Sequence, residues 1–120
     1  MVENIALILE VHQYMSIKKA QQIAQQYLDT IHLGHISFYR KVQCTPLEIF
    51  YVMFIRALVT NEPTIIIETP YVLLESLREI KTISLHLEKL NQSKKKIIIL
   101  DTQNNMLHYK DCLCNMIKSK

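Results

Sequence analysis

The residue types that do chemistry in this chain stand in small groups, and each group lacks the company its chemistry needs. Cys112 and Cys114 are two apart, with His108 just upstream. A thiol beside an imidazole is a minimal nucleophile pair if the imidazole lowers the thiol's proton affinity. In a strand the two cysteines face the same side, and cysteines in apolar strands are usually small core hydrophobes. His32, His35 and Cys44 are zinc-ligand types, but no second pair at ligand spacing accompanies them. Glu75, Glu79 and Glu88 fall on the polar face of a predicted helix, with Arg78, Lys81 and Lys89 nearby, an arrangement that suits a solvated surface. Asp101 follows an apolar run and fits a cap or turn. No G-x-S-x-G elbow occurs, and the single glycine cannot build a phosphate-cradling loop. We therefore expect no catalytic residue, no metal and no cofactor.

Composition points the same way. The chain has 120 residues, 49% of them apolar and 21% charged, which suits one small packed domain rather than a disordered segment. The net charge of +3 is mild and comes largely from lysines in a loop and a tail, Lys94 to Lys96, Lys110, Lys118 and Lys120. Aromatic residues do not interleave with these bases, so a nucleic-acid groove is not expected. Three cysteines, an odd number, with no secretion signal suggest a reducing, cytoplasmic compartment. No apolar run approaches the roughly 20 residues of a membrane span.

The elements that would position these residues are few and long, since only one glycine and three prolines are present. Asn4 to Tyr14 is an apolar segment, helical or partly extended. Ser16 suits a helix cap. Ile17, Ala20, Ile23, Ala24, Tyr27, Leu28 and Ile31 then form a helical stripe, closed by His32, Leu33 and Gly34 with the glycine as the stop. His35 to Gln43 reads as a loop or short helix. Thr45, Pro46 and Glu48 form a capping box with proline at the first helical position. The helix that follows, to about Val59, is apolar nearly all round and should be buried on most sides. Thr64 to Ile67 and Lys96 to Leu100 read as fully buried strands, joined by a helix from about Val72 to Leu90. Cys112 to Ile117 suits a last strand. The expected fold is α/β: one domain over residues 1–120, helical to about residue 45, followed by a small parallel βαβ unit.

The order of these segments, and much of their wording, resembles the ATPase domain of ABC transporters from just after its glutamine loop. Glu3-Asn4-Ile5-Ala6-Leu7 resembles the "ENVAL" stretch of exporters of the lipoprotein-, cell-division- and lipid-transport type. Ile31-His32-Leu33 stands where the family ends a helix in "VGL". Gln43 to Leu58 aligns without a gap on Q-L-S-G-G-Q-Q-Q-R-V-A-I-A-R-A-L, best at Arg56-Ala57-Leu58. Glu62 to Pro70 stands against the strand that ends in D-E-P, Leu74-Glu75 against Leu-Asp, and Ile97 to Gln103 against the strand that ends in T-H-D. The resemblance spans nearly all of this chain but about the second half of the family domain, and no motif is intact.

The resemblance implies part of a P-loop NTPase sheet, with its chemistry removed. The family's Mg²⁺-binding Asp falls at Glu68. The next position, the carboxylate that positions the attacking water, is Thr69, which cannot act as a base near neutral pH. The switch histidine falls at Thr102. In the signature phrase, which closes on the nucleotide of an opposing subunit through backbone N–H groups, Thr45 and Glu48 survive with the local job of capping a helix, while Pro46 and Leu47 depart; Pro46 has no N–H, and Leu47 is bulky where glycine allowed close approach. Positions that serve the fold persist, and positions that serve hydrolysis do not. The resemblance further implies an open edge on the Lys96–Leu100 strand, covered by Cys112–Ile117 or by a partner. In the family this region receives the permease's cytoplasmic helices, which carries over to Leu9–Met15 and Ile36–Val42. Phe38, Tyr39, Arg40 and Val42 are the candidate contacts, although for Phe38 and Tyr39 packing of the loop on its helix is the plainer expectation. The expected role is a non-catalytic accessory protein that binds an ABC permease or ATPase subunit at the inner face of the cytoplasmic membrane. Two alternatives stand beside it: half of a split nucleotide-binding subunit completed by another chain, and an unrelated α/β homodimeric interaction module.

Overall fold

A computed structural model of the chain describes residues 1–68 and 80–100. The architecture is mixed α/β, with helices followed by a parallel two-stranded sheet. The chain divides into two compact units, Met1–Glu62 and Pro63–Lys120.

The first unit begins with α1 (Val2–Gln13) and α2 (Ile17–Thr30), a helical hairpin whose helices pack on each other. Its link is three residues long. Tyr14 turns the chain by adopting left-handed backbone angles (φ 54°), and the Ser16 hydroxyl accepts the Lys19 N–H at 3.3 Å to open α2. Val2, Ile5, Ala6 and Leu9 are buried on α1, and Ala20, Ala24 and Leu28 on α2. Alanine at two successive turns lets the two backbones come close. Each large buried side chain here, such as Ile5 or Leu28, contributes roughly 1.5–3 kcal/mol by leaving water. Ile17, first in the expected stripe, is exposed instead, because it sits at the hairpin's corner.

The end of α2 departs from expectation. Gly34 does not stop the helix; His32 does, in left-handed conformation at φ 61°. The Leu33 N–H donates to the Leu28 carbonyl (2.8 Å) and the His32 N–H to the Asp29 carbonyl (3.1 Å), which satisfies the last carbonyls in a Schellman pattern. A Cβ at Gly34 would meet the end of the exposed Asp29 side chain, which would have to turn aside. Two short 3₁₀ turns follow, Gly34–Ile36 and Lys41–Gln43, where a loop or short helix is expected.

Helix α3 (Pro46–Leu58) starts on the capping box the sequence announces. The Thr45 hydroxyl accepts the Glu48 N–H at 3.2 Å, and the Glu48 carboxylate accepts the Thr45 N–H at 2.8 Å. Tyr51, Val52, Phe54, Ile55 and Leu58 are buried, while Met53 faces outward. Polar side chains tie α1 to the end of α3: Gln13 Nε2 donates to the Val59 carbonyl (3.0 Å), and Asn61 Nδ2 to the His12 carbonyl (3.2 Å).

In the second unit β1 (Thr64–Glu68) and β2 (Lys96–Leu100) pair in parallel, Thr64 with Lys96 through Glu68 with Leu100. The chain returns to β2 through α4, described over Ile80–Leu90, which buries Ile83, Leu87 and Leu90. The expected βαβ order is present. The Asn91 side chain closes the turn before β2, donating to the Lys95 carbonyl (2.8 Å) and accepting its N–H (2.9 Å). The strands are not fully buried as expected. Ile65 and Ile67 are buried but Ile66 is largely exposed, and β2 is half-buried with Leu100 exposed. A strand with one covered face hides alternate residues only.

Candidate functional site: the Phe38–Glu48 segment

The segment between α2 and α3 holds most of the described candidate residues. Its root is firmly held. The Met1 nitrogen donates to the carbonyls of Ser37 and Tyr39, both at 2.9 Å, and the Val2 N–H also reaches the Ser37 carbonyl at 3.0 Å. Ile36 is fully buried. Beneath it runs a short polar chain. The Gln25 amide nitrogen donates to the Asp29 carboxylate (3.1 Å), so the Gln25 oxygen faces the Ser37 hydroxyl (2.6 Å), which lies equally close to the Gly34 carbonyl. Ser37 itself is buried, and these partners satisfy it.

Beyond this root the chain turns outward. Phe38 is 94% exposed and Val42 91% exposed, and Arg40 and Lys41 beside them are exposed too. The loop is nonetheless shaped, because the Tyr39 N–H donates to the Ile36 carbonyl (2.9 Å) and the Arg40 N–H to the Gln43 side-chain oxygen (2.8 Å). The expected packing of the aromatics on the helix is not seen for Phe38, which stays exposed, while Tyr39 meets His35 edge-on with ring centres 6.0 Å apart.

The capping box consumes its own polar groups. One Glu48 oxygen accepts the Thr45 N–H, and the other lies 3.3 Å from His35 Nε2. Pro46 and Leu47 occupy the first turn of α3, where proline's missing N–H costs nothing. Cys44 precedes the box, and its thiol is held above its ordinary pKa, first by burial and then by the Glu48 carboxylate. A thiol so placed gives up its proton less readily than a free cysteine, which weakens it as a nucleophile. At the far end of α3 the Arg56 guanidinium leans on the Met53 sulfur (3.7 Å), and its Nε is buried with no hydrogen-bond acceptor among the described residues.

His32, His35 and Cys44 are not brought together, and among the described residues no three His, Cys, Asp or Glu side chains gather. Glu68 ends β1, paired with Leu100. Glu88 and Lys89 lie exposed on α4. Thr69, Glu75, Arg78, Glu79, Asp101, Thr102, His108, Cys112 and Cys114 lie outside the described residues. None of the described helices is long and apolar enough to cross a membrane.

The outer face of α1 overlaps the expected Leu9–Met15 contact region and extends it to Leu7. Leu7, Val11 and Tyr14 are exposed there, though Leu9, within the same Leu9–Met15 contact region, is buried. The signal was present, since α1 carries apolar residues at helical spacing on two faces rather than one. No protein-family model, no curated protein and no solved structure matches this chain. Its fold and its best-defined surface therefore describe it as a mixed α/β chain that displays an apolar and basic loop from a rigid helical root.

Proposed function

We propose that this protein is a non-catalytic binding module, related to ABC-transporter ATPases, that uses the Phe38–Val42 loop to contact a permease or ATPase subunit. The observation that carries the reading is the near-complete exposure of Phe38 and Val42 on a loop whose backbone is pinned on both sides. A large aromatic and a branched aliphatic side chain, flanked by Arg40 and Lys41, make a compact anchor with a basic rim, the composition of a contact hot spot. Pinning lowers the ordering cost on binding. The non-catalytic part of the reading rests on the residues present: Thr69 at the position of the water-activating carboxylate, Thr102 at that of the switch histidine, and Pro46-Leu47 in place of the signature glycines.

The test is copurification of the tagged chain with ABC permease and ATPase subunits from its native cells, beside a Phe38→Asp variant. Recovery of such a subunit by the parent, lost in Phe38→Asp, is the expected result. Failure to recover either subunit, or equal recovery by the variant, overturns the assignment. Calorimetric titration with MgATP should show no binding; saturable binding would favour the split-subunit alternative.

A further inference from the structure

Among the described residues the Arg56 side chain has one hydrogen-bond partner, and it is a weak one. Its Nη1 donates to the Met53 sulfur at 3.7 Å, one helical turn back along α3. A thioether is a poor acceptor. The Nε of the same guanidinium is buried with no acceptor, and no described carboxylate pairs with it. This half-buried cation is therefore under-satisfied. The atom it leans on is open to solvent, since Met53 is 55% exposed, with half-buried Phe50 and Ala57 a turn to either side. Met1 supplies a contrast. Its sulfur also accepts an N–H, from Asn4 Nδ2 at 3.5 Å, but Met1 is buried.

We propose that Met53 is an oxidation site, at which a peroxide converts the thioether to a sulfoxide and Arg56 holds the new oxygen. The sulfur lone pair attacks one oxygen of hydrogen peroxide. An S–O bond forms and the O–O bond breaks. The sulfur is oxidised by two electrons, the peroxide is reduced, and the departing hydroxide takes the proton of the transferred oxygen and leaves as water. Negative charge gathers on the transferred oxygen, where the Arg56 N–H stands ready to donate. The sulfoxide oxygen is a strong acceptor where the sulfur was a weak one, so the product gains a charge-assisted hydrogen bond. Oxidation of a packed methionine disrupts its surroundings. At Met53 the new oxygen has both solvent and a donor, so the fold keeps it, and an apolar spot on the outer face of α3 becomes polar. The pair shares no residue with the Phe38–Val42 loop, so the site stands or falls independently of the function proposed above.

The test is limiting hydrogen peroxide on the full folded chain, read by peptide mass spectrometry, with free methionine in the same buffer as the reference. Met53 should gain one oxygen ahead of Met1. It should also react at least as fast as in the urea-unfolded chain, although part of its surface is covered. Arg56→Ala should slow Met53 about fivefold, the worth of one hydrogen bond, and Arg56→Lys, which keeps a donor, should lie between. Met53→Gln places an amide oxygen where the sulfoxide oxygen would stand. Arg56→Ala should then lower the urea midpoint further in the Met53→Gln background than in the parent. A Met53 rate below that of the unfolded chain, a rate indifferent to Arg56→Ala, or equal losses in the two backgrounds would each overturn the proposal. The comparison with the unfolded chain needs no variant, so it decides even where Arg56→Ala disturbs the fold.

Discussion

Ile36 and Phe38 are two residues apart, and the fold treats them oppositely. Ile36 is fully buried, and Phe38 stands in solvent. The polar groups divide in the same way a few residues on. Thr45 and Glu48 satisfy each other and His35, whereas Arg40 and Lys41 are displayed. One side of this segment maintains structure and the other is left free for contact. Residue type alone does not separate the two roles, because isoleucine and phenylalanine are equally apolar. What separates them is the network of backbone bonds from Met1, Val2 and Tyr39, which fixes which side chain points inward.

The sharpest way to break the contrast is to truncate both. Ile36→Ala should destabilise the helical unit by about 2–4 kcal/mol, as emptying a fully buried site does. Phe38→Ala should change stability by less than about 0.5 kcal/mol. Urea unfolding followed by circular dichroism measures both. Equal losses would mean that Phe38 packs in solution and that the loop is not a display surface.

A smaller effect is expected at the box. Thr45→Ala removes the acceptor for the Glu48 N–H at the start of α3 and should cost about 1 kcal/mol. The neighbouring charge reversal Lys41→Glu should cost almost nothing, since Lys41 has no partner to lose among the described residues. If Lys41→Glu proves as costly as Thr45→Ala, the basic rim is structural and the division drawn above fails.

How much of this could be read in advance follows the range of the signals. The Thr45–Glu48 box and the Ser16 cap were legible because each is a local bargain between residues three apart, which tertiary packing does not overturn. The stripe of α2 was legible for a similar reason, as its period matches the helix. The α2 terminus misled. Glycine is the usual left-handed stop, yet His32 takes that conformation and Gly34, two residues on, does not. The strands misled in another way. A run such as Ile65-Ile66-Ile67 has no alternation, so it looks buried throughout, while the pleat still sends Ile66 outward. The direction in which Phe38 points was open, because it depends on bonds to Met1 some 38 residues away in sequence.

The finest test of the boundary between these regions lies at Cys44, which joins them. Burial raises its pKa first and the Glu48 carboxylate second. Only the thiolate reacts with iodoacetamide, so the labelling rate of the Cys44 peptide against pH reports this ionisation. Its midpoint should lie above that of cysteine in an unstructured peptide. Glu48→Gln should lower the midpoint without bringing it down to the peptide value, because the larger cause, burial, remains. The consequence for stability has a definite sign. The folded thiol releases its proton less readily than the unfolded one, so its contribution is intact at lower pH and is lost as pH rises through the folded value. A midpoint at or below the peptide's would show that Cys44 is as solvated as the loop before it, and would move the edge of the packed region from Cys44 to Thr45.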